Sequence, residues 1–99
     1  LVTGEFGRTP RINKDAGRDH WGPSTAIALA GAGIRGGTIV GASNERAEKP
    51  ATKPHRPADL AATIYHGLGV HLETEFVTAE GRPLPVVPSG GEVIGELFG

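Results

Sequence analysis

RPADLAATIYHGLGV, residues 56–70, is the stretch on which the reading of the fold turns. Asp59 can cap the unpaired amides of a helix on which Leu60, Ile64 and Leu68 recur at i, i+4 and i+8, with Ala61 beside them. Gly67 and Gly69 are its stop signals. The spacing predicts an amphipathic helix over 59–67. Upstream, Gly41 to Pro57 is polar and carries prolines at 50, 54 and 57, which marks a surface excursion. Before that excursion come three β-prone runs: Leu1-Val2-Thr3, the continuous apolar run Ala26 to Ala30, which suits a buried strand, and Thr38-Ile39-Val40. Downstream, Phe76-Val77 reads as a short strand, Gly81 to Pro85 as a turn, and Glu92 to Phe98 as a short closing helix. Strand, loop, strand, loop, helix is the order of an α/β protein.

Composition sets the scale of the core. The chain has 99 residues, 16 glycines, 8 prolines and 37% hydrophobic side chains, the length of one small domain. Leu, Ile, Val and Phe supply 23 of the 99 positions, a little above the roughly 20% below which chains usually fail to bury a core. Stability is therefore expected to be marginal, since so much glycine costs backbone entropy on folding. With position 1 a Leu inside an apolar run, residues 1–99 read as a piece of a longer protein.

Charge excludes several partners. Ten basic residues against eleven acidic ones, with no run of either, leave no electrostatic footprint for nucleic acid or an anionic membrane. No apolar run approaches the ~20 residues of a membrane span. The absence of cysteine removes disulfides, Cys-ligated zinc, iron–sulfur clusters and a thiolate nucleophile from consideration.

Two stretches carry possible chemistry. Gly31-Ala32-Gly33-Ile34-Arg35-Gly36 matches a G-x-G-x-x-G nucleotide turn, whose mechanism needs a helix immediately afterwards to hold the pyrophosphate. Gly36 to Gly41 holds two further glycines and three β-branched residues, so a plain Gly-rich turn is expected. The second stretch is the long polar loop from Glu5 to Gly22. Glu5, Asp19 and His20 offer hard oxygens and an imidazole nitrogen for zinc or another divalent cation. The competing reading is solvation, or a loop clamp of Asp19 with Arg8 or Arg18. Those two arginines carry guanidinium forks suited to a phosphate or sulfate oxyanion. Trp21 either walls a pocket or anchors the core. His55 lies in the Pro-rich loop, within reach of a metal from a neighbouring turn, whereas His66 belongs to the last helical turn and His71 to the surface.

Taken in order, GEFGRTPRINKDAGRDHWG at 4–22, LAGAGIRGGTIVGAS at 29–43, RPADLAATIYHGLGV at 56–70 and GRPLP at 81–85 carry a resemblance to a known family. The chain resembles the C-terminal part of a sulfatase-like protein of the alkaline phosphatase superfamily, and specifically the family called domain of unknown function 1501. That resemblance implies an α/β, three-layer sandwich of which residues 1–99 are an incomplete C-terminal fragment. It further implies a metal-dependent phosphate or sulfate ester hydrolase, with Glu5, Asp19 and His20 as ligands of a divalent metal, zinc or calcium, and Arg8 and Arg18 at a small-molecule or carbohydrate ester. Nucleophile and further ligands would come from the remainder of the parent chain, leaving the fragment inactive by itself. A twin-arginine export signal, common in the family, implies a periplasmic or secreted location. Phe6 departs from the pattern, because active superfamily members carry a ligating His or Asn there and a phenyl ring donates nothing to a metal. The departure keeps open an alternative function: a non-catalytic scaffold that binds a carbohydrate or a protein.

Overall fold

The computed structural model describes residues 1–87 and 90–99. They contain two two-stranded antiparallel sheets, one α-helix and one 3-10 helix. The strands are β1 (Gly7–Arg8), β2 (His20–Trp21), β3 (Glu75–Val77) and β4 (Pro83–Pro85); the α-helix α1 spans Pro57–Gly67 and the 3-10 helix Gly95–Phe98. The chain divides into two units, Leu1–Ala30 with Ile39–Pro54 and Gly31–Thr38 with His55–Gly99.

In the first unit, β1 and β2 pair as Gly7 with Trp21 and Arg8 with His20, leaving 9–19 as the loop between them. Gly7 is required there, because a Cβ would collide with the Ser24 backbone oxygen. The expected strands at Leu1–Thr3 and Ala26–Ala30 reduce to a single antiparallel bridge, in which Val2 and Ala28 exchange N–H···O bonds of 2.8 and 2.9 Å. Ala26 to Ala28 are exposed rather than buried. Alanine adds little to a pleated surface, and among the described residues the run has this one bridge to hold it extended. Thr38–Val40 forms no strand either, and Ile39 stands 90% exposed. The expected excursion after Gly41 closes on itself through a bridge between Ser43 and Pro50.

The second unit is built on α1. The predicted helix is present and starts two residues earlier, at Pro57, whose fixed φ and missing N–H suit the first helical turn. Asp59 therefore sits three residues past the N-cap, Arg56, and its carboxylate reaches back to accept the Arg56 N–H at 2.7 Å. The buried face also differs from the expected Leu60, Ile64 and Leu68 stripe. Asp59, Ala62 and Thr63 are buried, Leu60 and Ile64 are half-buried, and Leu68 is exposed. Backbone proximity explains the shift. The chain at Gly91 passes so close to the helix that a Cβ there would lie 2.6 Å from the Ala58 carbonyl oxygen, an approach only small residues allow.

That close passage is fixed by polar groups rather than bulk. The other oxygen of Asp59 accepts the Glu92 N–H at 2.9 Å. Thr63, 1% exposed, donates its hydroxyl to the Asp59 carbonyl at 2.7 Å and accepts the Ile94 N–H at 2.9 Å. Ala62, Val87 and Ile94 are the buried apolar residues around this seam, a core as thin as the composition implied. Beyond it, the expected helix over Glu92–Phe98 contracts to Gly95–Phe98. Phe98 meets His66 edge-on at 4.9 Å between ring centroids, and the Leu97 carbonyl accepts the Arg35 N–H at 2.8 Å. The predicted strand at Phe76-Val77 is β3. Its partner is the Pro83–Pro85 stretch, expected to be a turn; the reversal instead lies at Thr78–Gly81, closed by Gly81 N–H to Thr78 O at 2.9 Å.

Candidate metal and ester site

Loop 9–19 owes its shape to one side chain. The Asn13 side-chain oxygen accepts the N–H groups of Asp15 and Gly17 at 2.9 and 3.0 Å, while the Asn13 backbone pairs with the Gly17 carbonyl at 2.8 Å. Asparagine favours such local turns because its short amide imitates a peptide group. The turn carries Ala16 at φ 60°, a left-handed conformation costly for a residue with a Cβ. A second turn in the same unit repeats the device. Asn44 accepts the Glu48 N–H at 2.8 Å, its carbonyl accepts the Ala47 N–H at 3.0 Å, and Ala47 has φ 56°. Asn13-Lys14-Asp15-Ala16 and Asn44-Glu45-Arg46-Ala47 share an Asn-x-x-Ala spacing that sequence reading passed over.

Each candidate ligand has a defined place. Asp19 closes the loop: its N–H reaches the Thr9 hydroxyl at 3.1 Å, and one carboxylate oxygen accepts the Asn13 amide N–H at 3.0 Å. A clamp on Asp19 thus exists, with Asn13 as the partner in place of Arg8 or Arg18. His20, the first residue of β2, stacks on Phe6 with ring centroids 3.8 Å apart and planes tilted by 36°. Phe6, which cannot ligate, thereby holds the imidazole that can. Glu5 is exposed at the bend before β1. Asp19 and His20 are held by different neighbours, Asn13 and Phe6. Among the described residues, no three His, Asp or Glu side chains converge on one cation position.

Both candidate oxyanion arginines are engaged in the loop. Arg18 donates from one terminal nitrogen to the carbonyls of Thr9 and Pro10, each at 2.7 Å. Arg8 donates to the Arg18 carbonyl at 3.2 Å, and its guanidinium lies 5.3 Å from the Phe6 ring centroid. A guanidinium has five N–H donors, so these bonds leave others for an anion. Trp21 is half-buried and donates its indole N–H to the Glu48 carbonyl at 2.7 Å.

The remaining singled-out residues have structural settings. Gly31 to Gly36 forms a turn closed by Ile34 N–H to Gly31 O at 2.9 Å, and irregular chain rather than a helix follows. His66 occupies the last turn of α1, as expected. The His71 ring nitrogen accepts the Glu73 N–H at 3.4 Å, and His55 is exposed ahead of the helix. No described helix is long and apolar enough to cross a membrane.

The model of the family described as Protein of unknown function (DUF1501) matches residues 1–98. The chain belongs to the DUF1501 family. The match spans both units and every element described above. Neither the curated proteins nor the solved structures contain a match.

Proposed function

We propose that this DUF1501 chain is the C-terminal part of a sulfatase-like, metal-dependent hydrolase of phosphate or sulfate esters, with the α/β sandwich of the alkaline phosphatase superfamily completed by the rest of the parent chain. The observation that supports this reading is the treatment of Asp19 and His20. Each is held by a dedicated partner, Asn13 and Phe6, while the second carboxylate oxygen of Asp19 and the ring nitrogens of His20 are left to other donors or acceptors. A hydrogen bond that orients a carboxylate, as Asn13 gives Asp19, is a usual support of a metal ligand, and Phe6 supports His20 by ring contact. The donor set fits a divalent metal in kind, one nitrogen and two oxygens counting Glu5.

In this reading Glu5, Asp19 and His20 hold the cation, zinc or calcium, and Arg8 and Arg18 hold equatorial oxygens of the ester with their remaining N–H groups. The metal supplies charge neutralisation of the oxyanion and orientation of the attacking group. The nucleophile lies outside these residues, and the parent protein acts in the periplasm or outside the cell. Metal content and turnover of generic phosphate and sulfate esters, measured on the full-length protein and its His20→Ala variant, test the reading. Loss of both in the variant is expected; unchanged metal content overturns the assignment.

A non-catalytic scaffold is the second reading. It is favoured by the absence of a three-donor cluster among the described residues and by the use of both arginines on loop carbonyls.

A further inference from the structure

Beside the loop that carries Asp19, the first unit contains an open groove of about 580 Å3. One wall is the segment 9–13, which ends at Asn13 of the first Asn-x-x-Ala turn, and the other is Arg46 of the second turn with Glu48, whose N–H that turn holds. Trp21, Arg11 and Asp19 complete the part that matters chemically. Trp21 has spent its one polar atom on the Glu48 carbonyl, so it offers the groove only carbon. The side chains of Arg11 and Arg46 make no hydrogen bond or ion pair with any described residue, and both are exposed. Asp19 and Glu48 set two carboxylates against these two guanidiniums, which leaves the groove without net charge.

We infer that this groove binds one neutral sugar unit of a glycan. A pyranose combines an apolar C–H face with a rim of hydroxyls that each donate and accept. The groove matches both halves, with indole carbon for the face and planar, two-pronged guanidinium and carboxylate groups for adjacent hydroxyls. The charge balance selects against an anion, since a sulfate or carboxylate on the bound unit would gain two guanidiniums and meet two carboxylates. Two turns of the same construction border it, and binding orders the exposed Arg11 and Arg46 side chains. This goes beyond the hydrolase reading, and its charge balance is that of the groove with Asp19 as a free carboxylate.

The test is binding of the full-length protein to a panel of neutral oligosaccharides and their sulfated and uronate-containing counterparts, measured by calorimetry. At least one neutral oligosaccharide should bind, and Arg46→Ala and Arg11→Ala should each weaken it by about tenfold or more while leaving the melting temperature unchanged. Both arginines project from the surface, so neither variant threatens the fold. Binding that is absent across the neutral panel, unaffected in both variants, or stronger for the sulfated or uronate sugars overturns the inference. The metal content of these two variants should equal that of the parent. The sugar site and the metal assignment therefore fail separately.

Discussion

Asp59 and Glu92 are joined across 33 residues by a 2.9 Å bond from the Glu92 N–H to a carboxylate oxygen. The other oxygen of the same carboxylate takes the Arg56 N–H at 2.7 Å. One buried side chain thus starts the helix and docks the C-terminal segment against it. The Arg56 N–H, then the Glu92 N–H, hold the Asp59 carboxyl below its ordinary value of 3.8, against the opposing effect of burial. A folded value below the unfolded one means that the contribution is complete above the unfolded value and is lost as pH falls through the folded one. Asp59→Asn is expected to cost ~1–3 kcal/mol near neutral pH, since an amide cannot accept both bonds with the strength of a carboxylate. Urea denaturation at about pH 7 and about pH 3 should show the variant's deficit shrinking at the acid end.

Thr63 is the second half of the same seam. Thr63→Val keeps the shape and removes the acceptor for the Ile94 N–H, which leaves a buried donor unpaired at a cost of ~1–3 kcal/mol. Thr63→Ser keeps the hydroxyl and loses a methyl, so it should retain more stability than the valine variant. Hydrogen exchange of the Ile94 amide gives an independent check: fast in Thr63→Val, protected in Thr63→Ser.

The paired turns predict paired effects. Ala16 and Ala47 both hold φ near +60°, where a Cβ costs about 1 kcal/mol and glycine is unpenalised. Ala16→Gly and Ala47→Gly should each be neutral to stabilising by up to ~1 kcal/mol, whereas valine at either position should destabilise by more than that. Thermal denaturation of the four variants decides the point, and opposite signs for the two glycine variants would break the equivalence of the turns.

Gly91→Ala should be among the most damaging small changes in the chain. Its Cβ would meet the Ala58 carbonyl oxygen at 2.6 Å and Val87 at 2.9 Å, so the C-terminal segment must lift from the helix. A cost of ~1–3 kcal/mol is expected from overpacking alone. Gly95→Ala, where a Cβ meets nothing within 4 Å, is the control and should be close to neutral.

The helix was legible because its signals are local: an acidic residue at its start, apolar residues at i, i+4 and i+8, and glycines at its end. β3 was legible for a similar reason. The strands expected at Ala26–Ala30 and Thr38–Val40 were not realised, because β-prone composition describes a surface that still needs a neighbouring strand to complete it. The buried face of α1 was misjudged because side-chain size pointed to Leu60, Ile64 and Leu68. The backbone at Gly91 in fact passes against the Ala58 carbonyl, and the residues buried on the helix are Asp59, Ala62 and Thr63. At the candidate site, the sequence offered Asp19 and His20 as candidates and a clamp on Asp19 with Arg8 or Arg18 as its partner. Asn13 as the clamping partner and Phe6 as the support of His20 depend on the fold-back of loop 9–19 and the register of β1 with β2, which the sequence does not display.

The most direct test of the hydrolase reading is anomalous diffraction from crystals of the full-length protein, recorded at the absorption edge of the metal that accompanies it. The account predicts a single peak about 2.0–2.2 Å from a carboxylate oxygen of Asp19 and a ring nitrogen of His20 if that metal is zinc, and somewhat farther if it is calcium. A protein free of metal, or a peak coordinated by neither residue while His20 remains stacked on Phe6, would contradict it.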